Sequence, residues 1–160
     1  MNTESLKTIV QEIVKQAREL KDKHTTEKDA AVNYAAIFSQ NDREYQGLLE
    51  PAGQIGKIIQ DTPTGPLFEI GGIDTVAGQL RLLKIRKPET TRPERGNADF
   101  TVVVYPIFKK TYLPKVGFKL IERKEYEMIE LIDPSFNVRA YFSHPPLDQQ
   151  LGLKQGLPNS

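Results

Sequence analysis

The order of predicted secondary-structure elements occurs twice along the chain, and this repeat limits the possible folds more than any other feature. A strand, a short helix and three further strands are predicted over 31–88, and the same order follows over 96–147. The positions that match between the two halves include Asp74 with Asp133 and Arg81 with Arg139. We therefore predict an α+β fold in which a tandem pair of β-α-β-β-β modules forms a cleft within one globular domain. The alternative is a single irregular α+β sheet without internal symmetry.

The segments outside the two modules are predicted to be a helix at one end and a loose tail at the other. Apolar residues recur at helical spacing from Leu6 to Leu20, so 1–26 should form an amphipathic helix and a linker. Thr3 or Ser5 is expected to cap this helix. Its apolar stripe must be buried on its own domain or on a second subunit, which leaves a homodimer open. The C-terminal tail, 148–160, lacks a core pattern and is predicted to be loose.

Prolines set two of the predicted element boundaries. Asn41 or Asp42 is predicted to cap the helix of the first module, and we expect Pro51 and Gly53 to interrupt it, because proline lacks an N–H group and clashes with the preceding turn. In the second module, β-branched residues predict a strand over Ala98–Tyr105, after which Pro106 opens the helix.

Composition excludes several classes of function. The 160 residues contain no cysteine, which rules out disulfides, thiolate metal sites and a cysteine nucleophile. No signal peptide and no long apolar run are visible, so we expect a cytoplasmic protein that does not enter a membrane. The 22 basic and 21 acidic residues nearly balance, and nucleic acid is not an expected partner. One local basic cluster is interpreted as a solvated strand end and loop; it comprises Arg81, Lys84, Arg86, Lys87, Arg92 and Arg95.

The tandem layout resembles the vicinal oxygen chelate superfamily, which includes glyoxalase I, extradiol dioxygenases and bleomycin-resistance proteins. Within it, the chain looks most like the small bacterial YecM-like group, over a span from about Ala31 to Leu147. The features that carry the resemblance are a leading helix, a strand ending in Ser39-Gln40-Asn41, a second module beginning at Gly96, and a last strand ending in Phe142-Ser143-His144-Pro145-Pro146.

The resemblance implies a metal site whose ligands come from the first and last strands of each module, often a histidine on each first strand. The matching first-strand positions here are Asn33 and Asp99, and Asn33 is a poor ligand for a transition metal. The last strands offer Arg81 or Lys84, and Arg139 or Tyr141. Basic side chains repel a divalent cation, so we expect the usual metal site to be lost and predict no cofactor.

Strand side chains alternate between two faces, and this alternation predicts which residues line the cleft. Ala35 and Ile37 of the first strand, and Leu83 and Ile85 of the fourth, are assigned to the cleft, whereas Leu82 is assigned to the core. The polar candidates for ligand binding in the cleft are Asn33, Glu69, Arg81, Asp99, Thr101, Glu130, Arg139 and Tyr141.

The two arginines at matching positions suggest the chemistry of the cleft. A guanidinium group fits a carboxylate or phosphate in a bidentate manner, which favours an anionic ligand. Alternatively, Arg139 pairs with Glu130, and Arg81 pairs with Glu69 or Asp99, as internal ion pairs. Asp99 could act as a general base if burial raised its pKa. Catalytic residues are not identified by the sequence, and neither His24 nor His144 is expected to bind a metal.

Three functions follow as hypotheses. The leading one is a small-molecule-binding protein of vicinal-oxygen-chelate-like fold without the usual metal site, whose ligand is a carboxylate or phosphate. The first alternative is a metal-dependent lyase, isomerase or dioxygenase of the same superfamily. The second is an interaction protein that acts through its N-terminal helix.

Overall fold

Eight strands form one mixed sheet, flanked by helices, in the computed structural model, which describes residues 1–153. The elements in chain order are α1 Thr3–His24, β1 Ala31–Phe38, α2 Asp42–Ile55, β2 Gly56–Thr62, β3 Gly65–Thr75, β4 Gly78–Arg86, β5 Gly96–Thr101, α3 Tyr105–Tyr112, β6 Phe118–Glu122, β7 Glu127–Leu131, β8 Val138–His144 and α4 Leu147–Gln150. No helix among these is long and apolar enough to cross a membrane. Residues 154–160 of the predicted loose tail lie outside the described residues.

The two halves of the sheet have the same topology. The strand order is β2-β3-β4-β1-β5-β8-β7-β6, so each half contributes an antiparallel run of three strands followed by its first strand. β1 runs parallel to β4, and β5 runs parallel to β8. The halves join where β1 pairs antiparallel with β5. The predicted α+β fold of two β-α-β-β-β modules is therefore confirmed.

Helix α1 lies against the sheet of its own domain, across β1, β5 and β8. Its apolar stripe is fully buried; the stripe comprises Leu6, Val10, Ile13, Val14, Ala17 and Leu20. Each Leu, Ile or Val of this stripe contributes about 1.5–3 kcal/mol when it leaves water, so the helix is firmly held. The cap is Asn2 rather than the predicted Thr3 or Ser5: its Oδ1 accepts a hydrogen bond of 2.8 Å from the N–H of Ser5.

Helix α2 continues through Pro51 to Ile55, so the predicted interruption at this proline is wrong. Pro51 is buried with Leu48 and Ala52, and packing of this face against the core offsets the hydrogen bond that the proline cannot make. The predicted cap at Asn41 is confirmed, because its Oδ1 accepts a 2.8 Å hydrogen bond from Glu44 N–H.

Strand β5 ends at Thr101, four residues before the predicted end at Tyr105. Thr101 pairs with Ala31, the first residue of β1, so no partner strand on that side extends further. The next residues leave the sheet: Val103 is 94% exposed, and Tyr105 already belongs to α3. Sheet pairing overrides the β-propensity of these valines.

A bulge in β1 changes which side chains face the helices. The register against β5 shifts between Val32 and Tyr34, which adds one residue to β1 at this point. Val32, Ala35 and Ile37 join the same buried cluster as the stripe of α1. The predicted assignment of Ala35 and Ile37 to the cleft is therefore wrong, and Tyr34 takes that side instead.

Strand β4 shows the same change. Its pairing with β3 shifts register between Glu69 and Ile73, around Gly71 and Gly72, and Gly72 has φ of +115°. Beyond this point the core side chains of β4 are Leu83 and Ile85, which were predicted to face the cleft. Leu82, predicted in the core, lies on the opposite face, as do Lys84 and Arg86.

Candidate functional site

A cleft of about 530 Å³ opens on the face of the sheet opposite α1, and both modules line it. Four cationic side chains border this cleft: Lys84, Arg86, Arg92 and Arg123. The acidic side chain among its lining residues is Asp99. The described lining of this cleft therefore carries an excess of positive charge.

Lys84 is the least satisfied of these cations. It lies in the middle of β4, paired with Leu67 of β3 on one side and Ala36 of β1 on the other, and neither side chain offers a polar group. Within residues 1–153, its Nζ has no hydrogen-bond or ion-pair partner. Burial, together with the like charges of Arg86 and Arg92, lowers the pKa of Lys84 to about 8.

Arg86 and Arg92 share one carboxylate. Oε1 of Glu89 lies 3.3 Å from Nη2 of Arg86. Oε2 of the same carboxylate lies 3.3 Å from Nε of Arg92. Both guanidinium groups also lie over the ring of Phe38, at 5.8 and 5.5 Å from its centroid. Nε of Arg86 is buried and has no hydrogen-bond partner among the described residues. On this side of the cleft, Lys84, Arg86 and Arg92 therefore have the carboxylate of Glu89 as their one acidic neighbour within residues 1–153, and the Nε–H of Arg86 is unused there.

Asp99 occupies the other side of the cleft, on β5. Its Oδ1 accepts a 3.2 Å hydrogen bond from the backbone N–H of Ser143, and its Oδ2 accepts one from the Ser143 hydroxyl. Burial raises the pKa of Asp99 to about 7 despite these hydrogen bonds. Tyr34 is the neighbour of Asp99 in the sheet, and burial followed by the Asp99 charge raises the pKa of its phenol. A carboxyl group that exchanges its proton near neutrality thus lines the cleft.

Three predicted residues of the second module form an internal network. Arg139 Nε lies 3.0 Å from Glu94 Oε1, and Arg139 Nη1 lies 3.2 Å from Glu130 Oε2. The Tyr141 hydroxyl donates to the same Glu130 oxygen at 2.6 Å and accepts from Arg92 Nη1 at 3.0 Å. The alternative in which Arg139 pairs with Glu130 is therefore the one found in the structure.

Three predicted residues of the first module lie in a different, smaller pocket. Asn33, Glu69 and Arg81 line a cavity of about 80 Å³ together with Asp148. Asn33 Oδ1 accepts a 3.1 Å hydrogen bond from the backbone N–H of Asp148, at the beginning of α4. The structure thus does not bring these residues together with Asp99.

The remaining predicted residue, Thr101, lies at the end of β5 and lines neither cavity. Of the eight candidates, Asp99 alone lines the cleft, and Tyr141 reaches its border through Arg92. Whether any of the eight binds a ligand stays a prediction.

The residues that sequence reasoning missed are Lys84, Arg86 and Arg92. The interpretation of the basic cluster as a solvated strand end and loop is wrong for Lys84 and Arg86, which are half-buried. For Lys84 and Arg86 the Gly71-Gly72 pair in the neighbouring strand β3 was an available signal, because adjacent glycines within a strand often mark an irregularity in pairing. No local signal was available for Arg92.

The positions at which the resemblance implies metal ligands do not fit a divalent cation. Asn33 and Asp99 line different cavities, and their oxygens already accept hydrogen bonds from Asp148 and Ser143. The last strands supply cations at the corresponding places, including Lys84. No three histidine or acidic side chains within residues 1–153 cluster as a metal site would require.

Both histidines have structural contacts outside the cleft. His24 Nε2 lies 2.9 Å from Asp133 Oδ2, and the ring of His144 stacks on Tyr105 with the centroids 4.5 Å apart. Neither lines the cleft.

Comparison with known proteins relates the chain to others through its fold. No family model matches the chain, and no curated protein matches it significantly. Among solved structures, it is similar to a structural-genomics protein, EC4020, with a TM-score of 0.67 and 9% identity over 88% of this chain and 86% of that one. At this identity the likeness shows a shared fold.

A second solved structure is a glyoxalase/bleomycin resistance/dioxygenase superfamily member from Vibrio splendidus 12B01. It is similar over 71% of this chain and 97% of that one, with 8% identity and a TM-score of 0.42. At that TM-score the likeness carries no conclusion about this chain.

Proposed function

We propose that this protein binds a small organic anion in the cleft, with the carboxylate or phosphate of the ligand held by Lys84, Arg86 and Arg92. The observation that carries this proposal is the half-buried amine of Lys84, which has no partner within residues 1–153. A charged group that leaves water without a partner costs free energy, and a bound anion removes that cost. Arg86 contributes a buried Nε–H that is also unused.

The rest of the cleft suits the organic part of such a ligand. Its volume of about 530 Å³ falls within the usual range for small-molecule sites. Leu67, Met128 and Leu147 supply apolar walls, and Tyr126 supplies an aromatic one. Across the sheet, Asp99 offers a hydrogen-bonding group that can donate or accept, because its pKa lies near 7.

Membership of a protein superfamily is part of the same proposal. The tandem β-α-β-β-β modules support membership of the vicinal oxygen chelate superfamily, with the YecM-like group as the finer assignment. We propose that this member functions without the usual metal site, because cations occupy positions where ligands are required. Elemental analysis of protein purified without chelators tests this: we expect substoichiometric divalent metal, and one tightly bound ion per chain would contradict it.

Calorimetric titration with pyruvate and with inorganic phosphate tests the anion site. We expect both probes to bind and glycerol, which carries no charge, not to bind. Lys84→Gln should weaken binding at least tenfold, because it removes the unpaired cation. The matched control is Lys57→Gln, since the Lys57 side chain is 77% exposed and lies outside the cleft. Equal binding by wild type and Lys84→Gln would contradict the proposal.

The hypothesis of an interaction protein that acts through its N-terminal helix receives no support from these contacts. The apolar stripe of α1 is already buried against β1, β5 and β8. A partner would have to displace the helix from its own sheet to reach that stripe.

A further inference from the structure

The amine of Lys84 differs from the amines of Lys21 and Lys109, which have hydrogen-bond partners. Lys21 is fully buried, but its Nζ donates to Asp22 Oδ1 at 2.7 Å and to the carbonyl of Glu27. Lys109 donates to Glu127 at 2.9 Å. Lys84 makes no such contact within residues 1–153, so its amine faces the cleft without a competing acceptor from this part of the chain.

The surroundings of Lys84 favour the neutral amine. Its strand neighbours Leu67 and Ala36 are apolar, its side chain is half-buried, and Arg86 and Arg92 add positive charge. With a pKa of about 8, the free-amine fraction near neutral pH is on the order of a hundredfold larger than for an exposed lysine. Desolvation and a neighbouring cation are the two conditions that turn lysine into a nucleophile.

We propose that Nζ of Lys84 forms a reversible imine with the carbonyl carbon of a small oxo acid whose carboxylate is held by Arg86 and Arg92. This inference rests on the proposed function, since the same two arginines hold the anionic end of the ligand. It adds a covalent step and narrows the ligand to anions that carry an aldehyde or ketone group.

The step balances without any oxidant or reductant. The lone pair of Nζ forms a bond to the carbonyl carbon while the C=O π electrons move to oxygen, and one proton passes from nitrogen to that oxygen to give a carbinolamine. Protonation of the hydroxyl group then lets it leave as water while the C=N bond forms, and the iminium nitrogen releases one proton to give the imine. Asp99 lines the same cleft and exchanges its proton near neutrality, which suits it to supply and accept these protons through water.

Reductive trapping with pyruvate and sodium cyanoborohydride, followed by peptide mapping, tests the inference. We expect one carboxyethyl group on Lys84 in the wild type. Lys84→Arg keeps the charge but cannot form an imine, so it should lose this label, whereas the exposed-site control Lys57→Arg should keep it. Acetone, which lacks a carboxylate, should label Lys84 at least tenfold less, and added phosphate should reduce labelling by pyruvate.

The possible outcomes separate this inference from the proposed function. Pyruvate that binds in calorimetry without labelling Lys84, or that labels surface lysines equally in wild type and Lys84→Arg, would overturn the imine and leave anion binding intact. Absence of both binding and labelling would overturn both. Matching circular dichroism spectra and melting temperatures establish that Lys84→Arg is folded, so that a lost label reflects lost reactivity.

Discussion

The last strands of the two modules carry polar side chains on the same face of one sheet, yet they differ in how those side chains are satisfied. On β8, Arg139 has Glu94 and Glu130, Tyr141 has Glu130, and Ser143 has Asp99. On β4, Lys84 has no partner within residues 1–153, and Arg86 shares one carboxylate with Arg92 and leaves its Nε unused.

We infer that the polar side chains of β8 stabilise the fold, whereas those of β4 serve ligand binding. A buried polar group that makes its hydrogen bonds adds rigidity. A buried polar group without them raises the free energy of the ligand-free protein, and a ligand that supplies the missing hydrogen bonds removes this cost. Equivalent strands of the two modules can therefore have opposite roles. We expect substitutions on β8 to lower the free energy of unfolding, and substitutions at Lys84 to raise it.

The largest effect is expected from Arg139→Met. The substitution leaves Glu94 and Glu130 without their guanidinium partner at a site where Arg139 is 11% exposed. Loss of one partner from such a buried pair should cost about 3 kcal/mol in urea unfolding. Arg43→Met, at an exposed position of α2, is the control and should change stability by less than about 0.5 kcal/mol. Equal effects of the two substitutions would remove the distinction between the modules.

Lys84→Met should stabilise the protein by roughly 1–2 kcal/mol near pH 7, because it removes an unpaired charge from a half-buried position. The pKa of Lys84 falls from its ordinary value of 10.5 to about 8 on folding, so the unfolded state binds more protons between these values. Wild-type stability should therefore rise relative to Lys84→Met as the pH increases from about 8 to about 10.5. Urea unfolding across this range measures the difference, and a constant difference would contradict the lowered pKa.

Ser143→Ala should destabilise the protein by about 1 kcal/mol and raise the pKa of Asp99 further above 7, because the carboxylate loses a hydrogen bond to its charged form. The folded state of the wild type binds more protons than the unfolded state between about 3.8 and 7, so this carboxyl group makes stability fall as the pH rises through that range. In Ser143→Ala the fall should extend to higher pH. Carboxyl carbon NMR of Asp99 reports the pKa directly, and an unchanged value would contradict the role of Ser143.

The smallest effect is expected from Asn33→Ala, which removes the hydrogen bond to the backbone of Asp148. Because this contact is partly exposed and joins β1 to a short helix, about 0.5 kcal/mol should be lost. Binding in the cleft should not change, since Asn33 lines the neighbouring cavity. Weaker pyruvate binding by Asn33→Ala would show that the two cavities act as one site.

The fold followed from the sequence because the order of elements depends on local patterns of turn residues and apolar spacing. The site was predicted less well than the fold. The assignment of side chains to the cleft depends on strand alternation, and one extra residue in a strand reverses every assignment beyond it. The bulge near Asn33 accompanies the reversed assignments of Ala35 and Ile37, and the register shift around Gly71-Gly72 accompanies those of Leu83 and Ile85. On β8, alternation placed the core side chains Val138, Ala140 and Phe142 where the structure has them.

Contacts between residues that are distant in sequence could not be predicted from local sequence patterns. Arg92 lies in a polar loop, and only the folded chain places it against Phe38 and Tyr141. The pairing of Arg139 with Glu94 likewise joins residues 45 positions apart. Such pairs decide which cations are neutralised and which remain for a ligand.

The pKa of Lys84, measured by NMR on protein with labelled lysine side chains, tests the anion site most directly. Without ligand we expect a value of about 8. Saturating inorganic phosphate should raise this pKa by at least one unit, because a bound anion stabilises the protonated amine, while the pKa of exposed Lys57 should not move. A Lys84 pKa that starts near the ordinary value of 10.5, or that phosphate leaves unchanged, would contradict the account.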